Sequence, residues 1–168
     1  MDVWISIKGI QNADGEDHLM ELSTVGTMEH TQDGYRLIYQ ESETTGMEGV
    51  TTYMMVNPEA ITLERRGRMN SLMVLEKGRR TICNYDTGYG SLMMGLYTSE
   101  IQTEMDNDGG EFYFHYTLDI NSGMASSHDV HVSVKKRQGN EAQFEREQGA
   151  ARAKLKKQRS ARRETDLH

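Results

Sequence analysis

Residues 111–120 read EFYFHYTLDI. Phe112, Phe114, Tyr116, Leu118 and Ile120 fill one set of alternate positions, and Glu111, Tyr113, His115, Thr117 and Asp119 fill the other. A period of two marks a strand with one face in a core and one turned outward. The same alternation recurs along the chain. Val3, Ile5 and Ile7 alternate with Trp4, Ser6 and Lys8, and Tyr35, Leu37 and Tyr39 with Arg36, Ile38 and Gln40. Val50, Thr52, Met54 and Val56 form one face of a further run, and Val130, Val132 and Val134 one face of the last.

Turn signals separate these runs. Asn12-Ala13-Asp14-Gly15, Gln32-Asp33-Gly34, Asn57-Pro58-Glu59, Lys77-Gly78 and Asn107-Asp108-Gly109-Gly110 carry residues that accept tight-turn geometry. The spacing predicts eight to ten strands, near 3–10, 18–28, 34–41, 49–56, 59–65, 71–77, 79–85, 90–105, 111–121 and 128–136. The run 90–105 is too long for one straight strand, so a bend is expected near Ser99. No helical period of useful length precedes residue 138. Many antiparallel strands on short turns must protect their edges, which a closed barrel does by pairing first with last. A two-sheet sandwich is the alternative.

Composition sets the class. The 168 residues are 36% hydrophobic and 27% charged, with a mean hydropathy of -0.73 and one proline. These values allow a modest core and exclude collagen-like and proline-rich chains. No stretch approaches the roughly 18 apolar residues of a spanning helix, and residues 1–6 hold no basic and apolar leader pattern. A single cysteine, Cys83, excludes an internal disulfide and suits a reducing compartment. A cytoplasmic protein without membrane contact is expected.

The net charge of -7 is unevenly spread. Residues 1–134 hold 8 Lys and Arg against 21 Asp and Glu, whereas 135–168 hold 11 against 5. The acidic body opposes nonspecific contact with nucleic acid. Residues 1–136 are read as the domain and 137–168 as a basic tail, either a frayed helix or disordered. Its helix formers are many, but Phe144, Ala151 and Leu155 are nearly its whole apolar stripe. Arg152, Lys154, Lys156, Lys157 and Arg159 could grip phosphate backbone or an acidic protein surface, with Arg162 and Arg163 beyond them. As a solvated arm they would fold loosely onto the acidic body, and no aromatic residue interleaves them for base stacking.

Several short segments follow one another in an order shared with a known family. They are Gly9, Tyr39-Gln40-Glu41 then Gly46, Thr51-Thr52, Leu63-Glu64-Arg65-Arg66-Gly67, Tyr85-Asp86-Thr87-Gly88-Tyr89-Gly90, Thr98 and Tyr116-Thr117-Leu118. In this the chain resembles the YwiB-like bacterial proteins, a family of unknown function, over residues 1 to about 136. Gly88 stands where that family often has proline. The resemblance implies a calycin-like (lipocalin-like) antiparallel β-barrel and implies no activity.

Strand parity singles out polar residues on the apolar faces. Glu41 shares a face with Tyr35, Leu37 and Tyr39; Thr52 with Val50, Met54 and Val56; Arg65 with Ile61 and Leu63; Thr98 with Leu92, Met94 and Leu96; Tyr116 with Phe112, Phe114 and Leu118. All would point inward. A charge inside a barrel is costly unless paired, so Glu41 and Arg65 are expected to meet. As a ligand site, Arg65 would take a carboxylate or phosphate and Glu41 would orient it. As a structural pair, the two would satisfy each other and fix strand register. Tyr85, in its glycine-rich loop, is a further candidate contact, and that loop serves equally as a tight turn.

Metal and nucleophile chemistry find little support. His128 and His131 are three apart, which on a strand puts them on opposite faces. Cys83 has no partnering motif, and no Gly-x-Ser-x-Gly elbow occurs. No cofactor, no metal and no catalytic residue is expected. The leading function is a non-catalytic barrel that binds a small ligand. The alternatives are an interaction module for a complex or nucleic acid through the basic tail, and an enzyme acting through Glu41, Arg65 and Tyr85.

Overall fold

A computed structural model describes residues 1–86, 89–120 and 123–137. The chain forms ten antiparallel strands: β1 (Asp2–Ala13), β2 (Glu16–His30), β3 (Tyr35–Gln40), β4 (Val50–Val56), β5 (Ala60–Gly67), β6 (Ser71–Glu76), β7 (Arg80–Asp86), β8 (Ser91–Asp106), β9 (Gly109–Ile120) and β10 (Gly123–Lys136). Each pairs with the next, and β10 returns to β1, from Val3 opposite Lys136 to Asn12 opposite Ser127. The architecture is therefore an all-β, closed up-and-down barrel, with the sandwich excluded. The tail lies outside the described residues. Among the described residues no helix is long and apolar enough to cross a membrane.

Local chemistry explains the joints. Asp14 and Gly15 both take positive φ, 52° and 79°, between paired Ala13 and Glu16. This two-residue turn matches the twist of the strands it joins. β8 holds 16 residues and shifts register between Thr98 and Glu100. Ser99 is thus the extra residue of a bulge, which bends the strand where its length demands it.

The lumen takes one set of alternate side chains from every strand. Val3, Ile5, Leu37, Ile61, Leu75, Leu96 and Val132 are all fully enclosed. Along β9, the Phe112, Phe114 and Tyr116 rings stack at 6.3 and 6.1 Å. Stacked aromatics are rigid, so this column sets how far the walls can approach.

One seam differs from the others. β6 and β7 share a single register pair, Ser71 with Tyr85. The Thr81 hydroxyl donates to the Val74 carbonyl, and the Cys83 thiol donates to the Leu72 carbonyl at 3.1 Å. Side chains thus satisfy β6 carbonyls that a backbone ladder would normally reach. The tip of this hairpin leans on β8, where Gly78 N–H donates to the Thr98 carbonyl at 2.7 Å.

Two glycines on neighbouring strands should respond oppositely to the same change. A Cβ on Gly26 would strike the Ile38 carbonyl oxygen and come within 2.8 Å of Ile5 Cδ1, whereas one on Gly9 would meet nothing nearer than Met20 Cε at 3.7 Å. Gly26→Ala should cost roughly 1–3 kcal/mol through overpacking. Gly9→Ala should be neutral or stabilising by up to about 1 kcal/mol, because it restricts the unfolded chain. Urea midpoints compare them directly; equal losses would contradict the packing described here.

Candidate functional site

The lumen is not filled to its end. Beside the β1–β2 hairpin it opens into a cavity of about 280 Å³. Its apolar walls include Ile7, Leu22, Met54, Leu63 and Phe114, and its polar lining includes Tyr39, Glu41, Arg65, Tyr116, His128 and Asp129. Gly9 lines it too, and a side chain missing at an inward position leaves room there.

Strand register assembles the polar wall. Tyr39 lies opposite Thr52, Thr52 opposite Arg65, and Arg65 opposite Ser71, so these residues form one row across β3 to β6. Glu41 follows just after β3, with its N–H donating to the Val50 carbonyl at 2.9 Å. A single 3-10 turn, Glu43–Thr45, then brings Thr45 back over it. Glu41 Oε1 accepts the Thr52 hydroxyl at 2.7 Å, and Oε2 accepts the Thr45 hydroxyl at 2.9 Å. Arg65 Nε stands 3.9 Å from Glu41 Oε1. That is within Coulombic reach but too long for a hydrogen bond. Arg65 Nε has no hydrogen-bond partner among the described residues, and Nη1 rests 4.0 Å from the Met73 sulfur.

The titratable groups here hold fixed states. Burial, and then the Glu41 charge, keep the Tyr39 phenol protonated well above its usual range. Burial pushes Tyr116 up to about 12. The His128 ring stacks on Tyr116 at 4.6 Å and shares a 2.8 Å hydrogen bond with the Ser126 hydroxyl. Burial, with the neighbouring His115 charge, pushes His128 down to about 4. At neutral pH the site therefore offers two phenol donors, a neutral imidazole and one paired cation. None of these is poised to take a proton near pH 7. Among the described residues no group of three or more His, Cys, Asp or Glu comes together as a metal would require.

The structure brings Tyr39, Glu41, Thr52, Arg65 and Tyr116 together. Thr98 points inward and is fully buried and, like Thr52, does not line the cavity; unlike Thr52 it lies away from Glu41. It sits beside the Ser99 bulge, where its backbone anchors the β6–β7 hairpin. Tyr85 lies opposite Ser71 and Leu92, and its side chain lies outside what is described. Thr87 and Gly88 of the same loop are also outside, as are Arg152, Lys154, Lys156, Lys157 and Arg159. His128 is a lining residue that parity alone could have found, since it shares the face of Val130 and Val132. His131 is on the opposite face, 3.1 Å from Glu111. Thr45 carried no signal, because its place depends on the 3-10 turn.

Comparison with known proteins agrees with this architecture. The family model "Domain of unknown function (DUF1934)" matches residues 5–132. A Bacillus subtilis (strain 168) relative, "Uncharacterized beta-barrel protein YwiB", is 22% identical over 133 residues, covering 79% of this chain and 92% of the relative. The crystal structure of the ywiB protein from Bacillus subtilis superposes with a TM-score of 0.73 at 20% identity, covering 82% of this chain and 92% of that one. At that identity the likeness speaks for the fold alone.

Two outcomes test the polar wall. Arg65→Met leaves the Glu41 carboxylate buried without its cation and should cost about 3 kcal/mol at pH 7. The double change with Glu41→Gln should cost less than the two single losses added, which a denaturation cycle measures. His128 also imposes a sign on pH dependence, since its value falls from an ordinary 6.5 to about 4 on folding. Below pH about 6.5 the unfolded chain takes a proton that the folded one refuses until about 4, so stability should fall across that window. In His128→Phe the fall of the urea midpoint across those pH values should be shallower.

Proposed function

The chain belongs to the DUF1934 family, and on that footing we propose that its barrel binds a small ligand in the lumen and does not transform it. The observation that carries this is Arg65 beside an apolar cavity of about 280 Å³, with its Nε making no hydrogen bond among the described residues. Ligand pockets generally span about 300–1,000 Å³, so this one suits a small molecule.

The ligand class follows from which polar group has capacity left. Both Glu41 oxygens already accept hydroxyls, while Arg65 has a donor to spare. A carboxylate or phosphate oxygen would complete it, and charge-assisted hydrogen bonds of this kind are strong. Glu41 at 3.9 Å offsets much of the arginine charge. A singly charged head is therefore favoured over a doubly charged one. The remaining walls would take an apolar body. Catalysis is disfavoured because Tyr39 and Tyr116 hold their protons and His128 stays neutral. The cytoplasm is the compartment this reading assigns, on the strength of the buried free thiol of Cys83.

Calorimetric titration of the full-length protein with octanoate and with octan-1-ol tests this. Octanoate should bind more tightly by roughly tenfold or more, the contribution of one charged hydrogen bond. Gly9→Leu, which drives a side chain into the cavity, should abolish both. Binding that Gly9→Leu leaves unchanged would refute the lumen site. So would silence from both probes together with native mass spectra that show only the bare chain.

A further inference from the structure

The outward side of β6, β7 and β8 is apolar where the exterior of a barrel is normally polar. Leu72, Ile82, Met93 and Tyr97 are 52%, 53%, 62% and 44% exposed, and partly buried Val74 lies among them. Register holds these residues in one strip. Ser71 pairs with Tyr85, which puts Leu72 beside Asn84 and Val74 beside Ile82. Asn84 in turn pairs with Met93, Ile82 with Gly95 and Arg80 with Tyr97. Single exposed apolar side chains are ordinary, but a contiguous patch is not. With strands about 4.8 Å apart and residues about 3.3 Å apart, the strip covers roughly 300 Å² of flat area, the size at which a patch marks an interface.

Charge is its second distinguishing feature. Residues 1–134 are strongly acidic, yet the charges flanking the strip form matched pairs. Arg66 meets Glu64 at 2.8 Å, Arg79 meets Glu76 at 3.6 Å and Arg80 meets Asp119 at 2.7 Å. The Arg80–Asp119 pair is bidentate, with Nε 3.2 Å from Oδ2, and it crosses β8 at Gly95. A Cβ on Gly95 would strike Arg80 Nη2 and come within 2.6 Å of both Asp119 oxygens. The missing side chain lets the ion pair lie flat beside Ile82 instead of standing above it. A level, locally neutral, apolar strip therefore interrupts an acidic exterior.

We propose that a second copy of this chain docks on the strip, sheet face against sheet face, about a two-fold axis near Ile82. Charge selects this occupant. Two bodies that each carry an excess of carboxylates repel wherever those surfaces meet, and the repulsion is least here. A basic partner would be drawn to the acidic surfaces elsewhere, and the strip offers it no charge to grip. A two-fold contact needs a self-complementary patch, and an apolar centre between internally paired charges is one. The strip is small beside a standard interface of about 800 Å² per partner, so the pair dissociates at concentrations on the order of tens of micromolar. It also spans the β6–β7 seam, whose own ladder is a single register pair, and so ties that part of the wall from outside.

Sedimentation velocity of the full-length protein, from roughly 1 to 200 µM, tests this. A monomer–dimer equilibrium is expected, and raising salt from about 50 to 500 mM should not weaken it, because the contact matches no net charge. Ile82→Asp and Ile82→Lys should each weaken the dimer at least about thirtyfold, the loss typical of an interface centre. Both should keep the urea midpoint near that of the unaltered protein, since the side chain faces outward. Mixing the two variants should restore the dimer, because the axis sets a carboxylate against an ammonium; misfolded variants would not recover. Val25→Asp, at an exposed position on β2, should leave the equilibrium unchanged. A chain still monomeric at about 200 µM would overturn the proposal and leave the strip to a different protein. So would a dimer that Ile82→Asp leaves intact, or a mixture of the two variants that stays monomeric.

Discussion

The pairing of β1 with β10 is the constraint on which the rest of the molecule depends. Ten register pairs join the first strand to the last, so each strand has two hydrogen-bonded neighbours and inward positions become a fixed cylinder. Eight strands enclose a space that side chains can just fill. Ten enclose more. The stacked column of Phe112, Phe114 and Tyr116 props the walls apart and occupies part of the surplus. What it does not occupy lies at the hairpin end, where Gly9 contributes no side chain. The cavity is thus a consequence of strand number and of where the bulky residues fall.

The same closure makes a buried ion pair tolerable. Glu41 has both oxygens hydrogen-bonded before Arg65 is considered, so its polar atoms are satisfied in the wall. Register places Arg65 beside Thr52, and Thr52 beside Tyr39. Three strands therefore hold Tyr39, Thr52 and Arg65, and the β3–β4 connection adds Glu41 and Thr45. Such a wall is rigid, and rigidity serves recognition by limiting what a bound molecule must order.

Much of this was legible in the sequence because the period of two is strict. Strand positions, the bend at Ser99 and the inward facing of Glu41, Thr52 and Arg65 all follow from alternation and turn chemistry. Thr98 shows where alternation stops being informative. Its parity is inward and the bend beside it is foreseeable, but alternation does not say that its backbone there bonds to Gly78 and Arg79 of the β6–β7 hairpin. The outer face of β1, β9 and β10 was illegible for a different reason. Ser6, Lys8 and His131 read as solvent-facing in any two-period scheme, yet all three are buried. Alternation tells which side a residue takes; it does not tell what lies on that side.

The β6–β7 seam carries a mechanical meaning. A hoop of strands opens where its clasp is weakest, and here one register pair and the side chains of Thr81 and Cys83 stand in for a ladder. The seam lies nearly across the ring from the β1–β10 closure. The least tied part of the wall therefore lies far from the strands that hold the chain ends. The wall's weakest clasp is thus set away from the mouth of the cavity, and the Cys83 thiol is one of the bonds that close it.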